Sequence, residues 1–387
     1  MSATLAPECR FGPSTEKTFG WEGDAMGTGE TYQGEVEDVR TICVLDEGTR
    51  YNRAWQPYLE RWAEGHLIVA WGHHLRGKID MGDIVCSISL DDGDTWLPPV
   101  EIFDHRMSRD SRRYAYANPV LYRSPGQEVV WCFAMRCPLH YRDSENSELC
   151  AAYTADGGYS WIEVELTVHS ASPIVTCNAP LRFADRYLLP VHRNTLRDDP
   201  SGDARQFILE STDLLSWHLA GYVPFDESDP VFLHEASIAR SGPNELTMVM
   251  RSATYGQKNY QQLPTPVAYR STSSDGRTWS TAEPVPELHN TCCKGHYSID
   301  GTGSELYVYS PGPKGERKAL HFTEKSPGGD WTASRVFYDG GNRNSYPTLI
   351  EIPENPGRYY CVWDSSNDPD RQRTAIRFGR FTGGRDQ

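Results

Sequence analysis

Apolar residues along this chain fall in short runs rather than long stripes. His66-Leu-Ile-Val-Ala-Trp71, Glu245-Leu-Thr-Met-Val-Met250 and Leu306-Tyr-Val-Tyr309 span four to six residues each. Glycine, proline, aspartate or asparagine bounds each run, the pattern of strands joined by tight turns. No stretch repeats apolar positions at the 3.6-residue helical period, so few helices are expected. The predicted class is all-β.

A second pattern lies over the first. Ser89-Leu-Asp-Asp-Gly-Asp-Thr-Trp96 nearly repeats as Thr154-Ala-Asp-Gly-Gly-Tyr-Ser-Trp161. Tryptophans closing such strings stand at 96, 161, 217, 279 and 331, with spacings of 65, 56, 62 and 52 residues. A repeat of that length, about four strands per unit, predicts a β-propeller. In Thr272–Trp279 the Gly-x-Thr-Trp ending is kept, with Ser274 read in the aspartate's place; Ser211–Trp217 is one residue short, and the copy ending at Trp331 is the most worn. In a hairpin turn, aspartate accepts nearby backbone N–H groups, glycine permits positive φ and tryptophan packs beneath.

Gln56-Pro57, Asn118-Pro119, Ala179-Pro180, Glu235-Ala236 and Tyr346-Pro347 each open an apolar strand, and Cys293–His296 opens the strand before Leu306. Six starts predict six blades in a single domain over residues 1–387. An N-terminal segment of about residues 35–48 is expected to close the last blade, with Val39–Leu45 beside Thr374–Phe381, leaving no open edge.

Charge and cysteines narrow the function classes. The 53 acids outweigh the 38 bases for a net −15, and no basic stripe appears, so nucleic acid is not an expected partner. No apolar run approaches the ~20 residues of a membrane span. The ten cysteines include no CxxC pair, and no acidic loop has calcium spacing, so neither metal nor cofactor is expected. Most cysteines sit inside apolar runs, which favours reduced buried thiols over a disulfide framework. The N-terminus lacks a signal-peptide pattern, which leaves a cytoplasmic protein or a secreted one with its signal removed.

Ser89, Asp91, Gly93, Thr95 and Trp96 resemble the Asp box of the sialidase superfamily. The resemblance spans nearly the whole chain and implies a six-bladed propeller glycosidase with its boxes on the outer rim, making Asp91 and Asp156 scaffold. It also implies a site. Glu235 precedes Arg251 by sixteen residues; Arg317 follows a strand ending in Ser310-Pro311; Tyr346 comes 29 residues later in Ser345-Tyr-Pro-Thr-Leu349. By that resemblance Tyr346 is the nucleophile, Glu235 its base, and Asp80, with Asp83 as competitor, the acid/base. Arg251 and Arg317 are the carboxylate clamp. The chemistry is coherent: a phenol avoids the like-charge repulsion a carboxylate nucleophile meets at an acidic sugar, and guanidinium groups hold the sugar's carboxylate.

One departure stands out. Where sialidases carry Arg-Ile-Pro at the first blade, this chain has Trp55-Gln56-Pro57, so one of three arginines is missing. Arg53, Arg76 and Arg343 are the candidates to replace it. His192 and His296 join the expected substrate-binding set, and His73, His74 and His234 lie near the same blade starts. The leading expectation is an exo-glycosidase acting on glycans that end in sialic acid or a related acidic sugar. Two other readings stay open: a propeller lyase using His or Tyr as base on uronate glycans, and a non-catalytic glycan-binding propeller. Trp55, Trp71 and Trp363 are the expected sugar-stacking residues.

Overall fold

Short runs broken by turn residues can bury their apolar faces only by pairing with neighbours, and here they pair in fans. The computed structural model describes residues 33–45, 51–106, 113–141, 146–170, 173–193, 206–226, 231–254, 267–290, 293–311, 317–366 and 374–384. Cys9, Cys292 and residues 46–48 of the expected closing segment lie outside these. Every regular element among the described residues is a strand.

The strands form five hydrogen-bonded sheets. The largest is two four-stranded fans joined only at Gly82 and Tyr116, so six radial units result. Blade one runs Tyr51–Ala63, His66–Leu75, Gly82–Ser89, Val100–Phe103, and blade two runs Tyr114–Arg123, Val130–Pro138, Glu148–Thr154, Ile162–Val164. Blade three is built on Arg186–His192, Gln206–Ser211 and Ser216–Tyr222, with Val175–Thr176 and Leu181–Phe183 together supplying its inner edge. Blade four begins at Val231–Gly242, blade five at His296–Ile299 and blade six at Arg343–Glu351. Glu37–Leu45 pairs antiparallel with Thr374–Thr382 as the outer strand of blade six, Cys43 opposite Ile376.

Inner strands meet around one axis. That of blade one contacts those of blades two and six, and blade five's touches those of blades four and six. The core fills the spaces between fans. Leu59, Val69 and Trp71 of blade one pack against Val362 and Phe378 of blade six. Ile68, Leu121, Phe133, Leu209 and Trp217 tie blades one to three together. Each such side chain contributes roughly 1.5–3 kcal/mol by leaving water. The eight described cysteines are free and buried in these layers.

The repeated turns sit between outer strands. Asp91 accepts the Thr95 N–H at 2.9 Å, the Thr95 hydroxyl at 2.6 Å and the Ser89 hydroxyl at 2.8 Å, while Trp96 Nε1 donates to the Gly93 carbonyl at 3.1 Å. Gly93 has φ 93°, and a Cβ there would meet the Phe378 ring at 2.3 Å, so only glycine fits. Asp156 makes the same bonds. The copy read as carrying Ser274 in place of aspartate has its aspartate after all. Asp275 accepts from Arg277 N at 2.8 Å and Thr278 N at 2.7 Å, as Asp213 does from Leu215 N and Ser216 N. These two turns are one residue shorter, which shifted the alignment. Trp71 and Trp363 also differ from expectation: both are fully buried, so neither can present a face to a sugar. Their strands lie inside the fans, where a large ring gains most by packing.

Candidate active site

Four inner strands carry the same irregularity. Gln56, Asn118, Glu235 and Tyr346 have φ of 55°, 52°, 51° and 52°, and the register slips at each: between Trp55 and Tyr58, Ala117 and Val120, His234 and Ser237, Ser345 and Thr348. A bulge re-aims one side chain, and positive φ in a residue with a Cβ costs about 1–3 kcal/mol. All four residues are polar and belong to the blade-start dipeptides of the sequence. The same backbone conformation also occurs at Asp38, Asp92, Ala184 and Leu214, but on the inner strands it recurs at the start of four blades.

Two of these residues, with three from elsewhere, form a polar cup. Arg251 Nη1 donates to Glu235 Oε2 at 2.8 Å, an ion pair nearly closed to solvent. Burial opposes the Arg251 charge, but the Glu235 carboxylate more than offsets it and keeps the guanidinium firmly protonated. Tyr346 lies within electrostatic reach of Glu235, Arg317, Asp80 and Arg251; burial, then the Glu235 charge, pushes its phenol above the ordinary tyrosine range. Arg317 lies over the Tyr346 ring at 5.2 Å, and its carbonyl accepts the Asn344 N–H at 2.5 Å.

Asp80 has φ 49° and accepts weakly from Gln56 Nε2 at 3.4 Å. Enclosure raises its carboxyl above the ordinary range, with Glu235 adding to the rise and Arg53 opposing it. Its side chain nonetheless keeps 37% exposure, so it is walled in by protein yet open at the lip. Asp83, the competing carboxylate, is 1% exposed and committed to structure. It accepts from the Tyr51 hydroxyl and from the His105 N–H at 2.7 Å, and sits 2.5 Å from His105 Nδ1. Asp83, Asp104 and His105 bring ligand atoms within 4.8 Å of one another, but Arg106 takes both oxygens of Asp104. That group reads as a closed network.

Trp55, just before the bulge at Gln56, is crowded by guanidinium groups. Arg343 lies 3.9 Å from its ring centre, Arg53 4.4 Å and Arg317 5.7 Å, with the Tyr346 ring 5.8 Å away. Arg53, Asp80, Glu235, Arg317 and Tyr346 are half-buried, while Arg251 is buried behind Glu235. Arg76 is exposed beyond the end of His66–Leu75 and is not among the leading charges on Asp80, Tyr346 or Arg343.

The histidines are sealed in the walls. His74, His192, His234 and His296 are 2%, 2%, 4% and 6% exposed. His192 Nδ1 accepts the Glu235 backbone N–H at 3.4 Å, which holds the bulge rather than opening onto the cup. Burial drops His296 and His74 to about 3, so both are neutral imidazoles. Sequence reasoning passed over Gln56, which bridges Asp80 to the Asn118 N–H, and Lys294. Lys294 is 5% exposed, donates to Thr348 Oγ1 at 3.0 Å, and is brought down to about 8 by burial. The blade-start dipeptides held the signal for Gln56. Nothing local marks a buried lysine.

A six-fan all-β ring with Asp-box turns outside and a strained polar cup inside is a sialidase-like propeller. Residues 65–361 match the BNR repeat-like domain, and the chain belongs to that family. No curated protein matches it. Among solved structures it is similar to the NanB sialidase from Streptococcus pneumoniae, at 11% identity and TM-score 0.64 over 89% of this chain and 70% of that one. The leech intramolecular trans-sialidase is 14% identical, TM-score 0.64, over 89% and 70% of the two chains. The α-L-arabinofuranosidase of Fusarium graminearum is also 14% identical, TM-score 0.64, over 91% and 98%. At these identities the likeness is one of fold.

Proposed function

We propose that this protein is an exo-glycosidase of sialidase type that removes a terminal acidic sugar from glycans. The reading rests chiefly on one observation. The reactive position on blade six is a phenol, not a carboxylate, and its strongest charged neighbour is Glu235, itself paired with Arg251. A carboxylate nucleophile would approach a sugar acid against like charge; a neutral phenol would not.

Tyr346 attacks the anomeric carbon as its proton passes to Glu235, and Asp80 gives its proton to the departing glycosidic oxygen. Water, deprotonated by Asp80, then attacks the tyrosyl–sugar bond, and Glu235 returns the phenol's proton. Two displacements retain the anomeric configuration. The raised pKa of Asp80 suits an acid that must hold its proton near neutral pH. Arg317 and Arg251 supply counter-charge to the sugar's carboxylate.

The guanidinium-rich cup favours an acidic sugar over the neutral arabinose named for the Fusarium neighbour. A lyase using histidine as base is disfavoured by the burial of His74, His192, His234 and His296. The test is product analysis after incubation with mixed sialylated and uronate-terminated oligosaccharides. Free acidic sugar, released first in the α or β form of the substrate, supports the reading. A new absorbance from a conjugated double bond replaces it with the lyase, and binding without turnover leaves a glycan-binding module.

A further inference from the structure

We propose that Lys78, whose ammonium reaches from the loop of residues 76–81 to two backbone carbonyls of blade two, is a positioning residue that holds Asp80 at the lip of the cup. This rests on the reading of Asp80 as the acid/base and adds a residue that acts through it.

Asp80 does little to fix itself. Its hydrogen bond from Gln56 Nε2 is long at 3.4 Å, and His74 Nδ1 stands 3.8 Å away. Its φ of 49° is sparsely populated for a residue with a Cβ and persists only where the surroundings impose it. The direction of the carboxyl is therefore set by the loop that joins His66–Leu75 to Gly82–Ser89. On its outer side that loop has little to lean on. Arg76, Gly77 and Ile79 are exposed, and a Cβ on Gly77 would meet nothing within 4 Å.

The anchors lie on the inner side. Leu75 N donates to the Met81 carbonyl at 2.9 Å, and Lys78 N to that of Leu75 at 3.1 Å, which closes the loop on itself. Met81 is fully buried and packs with Ala115, Cys137 and Leu139 of blade two, and Gly82 pairs with Tyr116. Lys78 supplies the polar half of this seat. It is half-buried between exposed neighbours, and its Nζ donates to the Leu139 carbonyl at 2.5 Å and to the Tyr141 carbonyl. Both acceptors are held from behind: Leu139 N donates to the Arg113 carbonyl at 2.7 Å, and Tyr141 N to that of Pro138 at 3.1 Å. Hydrogen bonds from an ionised donor are shorter and stronger than neutral ones. The two partners are carbonyls, so the contact fixes geometry rather than pairing charge. One ammonium thus ties blade two to a point two residues from the acid. Such slack matters, because a shift of about 1 Å in a reacting group can cost about 10²-fold in rate.

The test compares wild type, Lys78→Met, Lys78→Arg and Asp80→Ala on a sialylated oligosaccharide and on an aryl sialoside, with pH profiles, thermal unfolding and amide hydrogen exchange of each. Lys78→Met keeps the aliphatic stem and removes the donors. It should lower kcat on the oligosaccharide by about 10- to 100-fold with KM within about 2-fold, and lower kcat on the aryl substrate by less than about 3-fold. Tm should stay within a few degrees of wild type. Amides of residues 76–81 should exchange faster, and those of the rim turns should not change. The titratable and charged groups around Asp80 are Arg53, His74, Glu235, Arg317 and Tyr346, and burial is the leading cause of its raised value. A loosened loop admits water to the carboxyl, so the alkaline limb on the oligosaccharide should move to lower pH. Lys78→Arg keeps a cation within reach of the carbonyls and should recover most of the rate. The inference is overturned if Lys78→Met loses equally on both substrates or leaves exchange of residues 76–81 unchanged. It also falls if Asp80→Ala shows the leaving-group dependence while Lys78→Met keeps full kcat. Absence of that dependence in Asp80→Ala would sink the acid assignment itself, and the role of Lys78 with it.

Discussion

The outer rim and the axial cup are made from the same repeated hairpins and treat their polar groups in opposite ways. On the rim, Asp91, Asp156, Asp213 and Asp275 accept N–H or hydroxyl groups from their own turns, and all four carboxyls are held below the ordinary range. In the cup, Tyr346 and Asp80 are pushed towards their neutral forms, Arg343 has an unmet donor, and Gln56, Asn118, Glu235 and Tyr346 sit at positive φ. The rim lowers the folded state's energy locally. The cup raises it and holds the result in place with six packed fans. Carboxyls bonded within their own turns make scaffold, and the charged and phenolic groups gathered on the axis make the candidate site.

The sharpest way to break that contrast is Tyr346→Phe. Removing one oxygen from the cup should lower kcat/KM on a sialoside by about 10⁴-fold or more while leaving Tm within a degree or two. Retention of near-full activity would remove the phenol from the mechanism. Next in size is Asp80→Ala, with an expected loss of about 10²- to 10⁴-fold on natural glycans. The loss should shrink for an aryl glycoside, whose leaving oxygen needs no proton. In the wild type, activity should fall as pH rises through the raised Asp80 pKa, and that alkaline limb should vanish for the aryl substrate. Equal losses on both substrates would assign Asp80 a merely structural part.

Much of the rim was legible in the sequence because its physics is local. An aspartate bonding N–H groups two to four residues away leaves a short fixed string, and a tryptophan closes it. Even the misplaced aspartate at Ser274 came from a one-residue deletion in the string, not from a missing group. The cup was only partly legible. Spacing brought Glu235, Arg251, Arg317 and Tyr346 forward together because each blade repeats its strand lengths. The stacking of Arg343 on Trp55 depends on a junction between the first and last blades, some 290 residues apart in the chain, and no local string encodes it. Burial of Trp71, Trp363 and the histidines was invisible for the same reason: a strand's inward face is set by its neighbours.

On the rim, Asp91→Ala should do the reverse of Tyr346→Phe. It removes an acceptor from the Thr95 N–H, the Thr95 hydroxyl and the Ser89 hydroxyl, all close to solvent. The expected cost is about 1 kcal/mol, or roughly 1 °C in Tm for a chain of this size, with kcat/KM unchanged. A large loss of activity at unchanged Tm would mean that the rim communicates with the cup, and the division between them would fail.

The smallest effect has opposite signs in the two regions. The rim carboxyls have depressed folded-state values, Asp275 down to about 2 through the Thr278 and Arg277 amides. Their stabilisation is present above the unfolded value of about 3.9 and is lost as pH falls through the folded ones. Partial exposure screens it to a few tenths of a kcal/mol each. Asp80 and Asp364 have raised folded values, so they impose no penalty below about 3.9 and a growing one as pH rises through those values. Acid should therefore loosen the rim while it relieves the cup. Asp80→Asn, which removes one cup penalty, should raise Tm near pH 7 and lose that advantage below pH ~4, whereas Asp91→Ala should cost least in acid. A Tm for Asp80→Asn below wild type at neutral pH would show that the cup's carboxylate is held by its neighbours as firmly as any on the rim, and the cup would no longer be a place of stored strain.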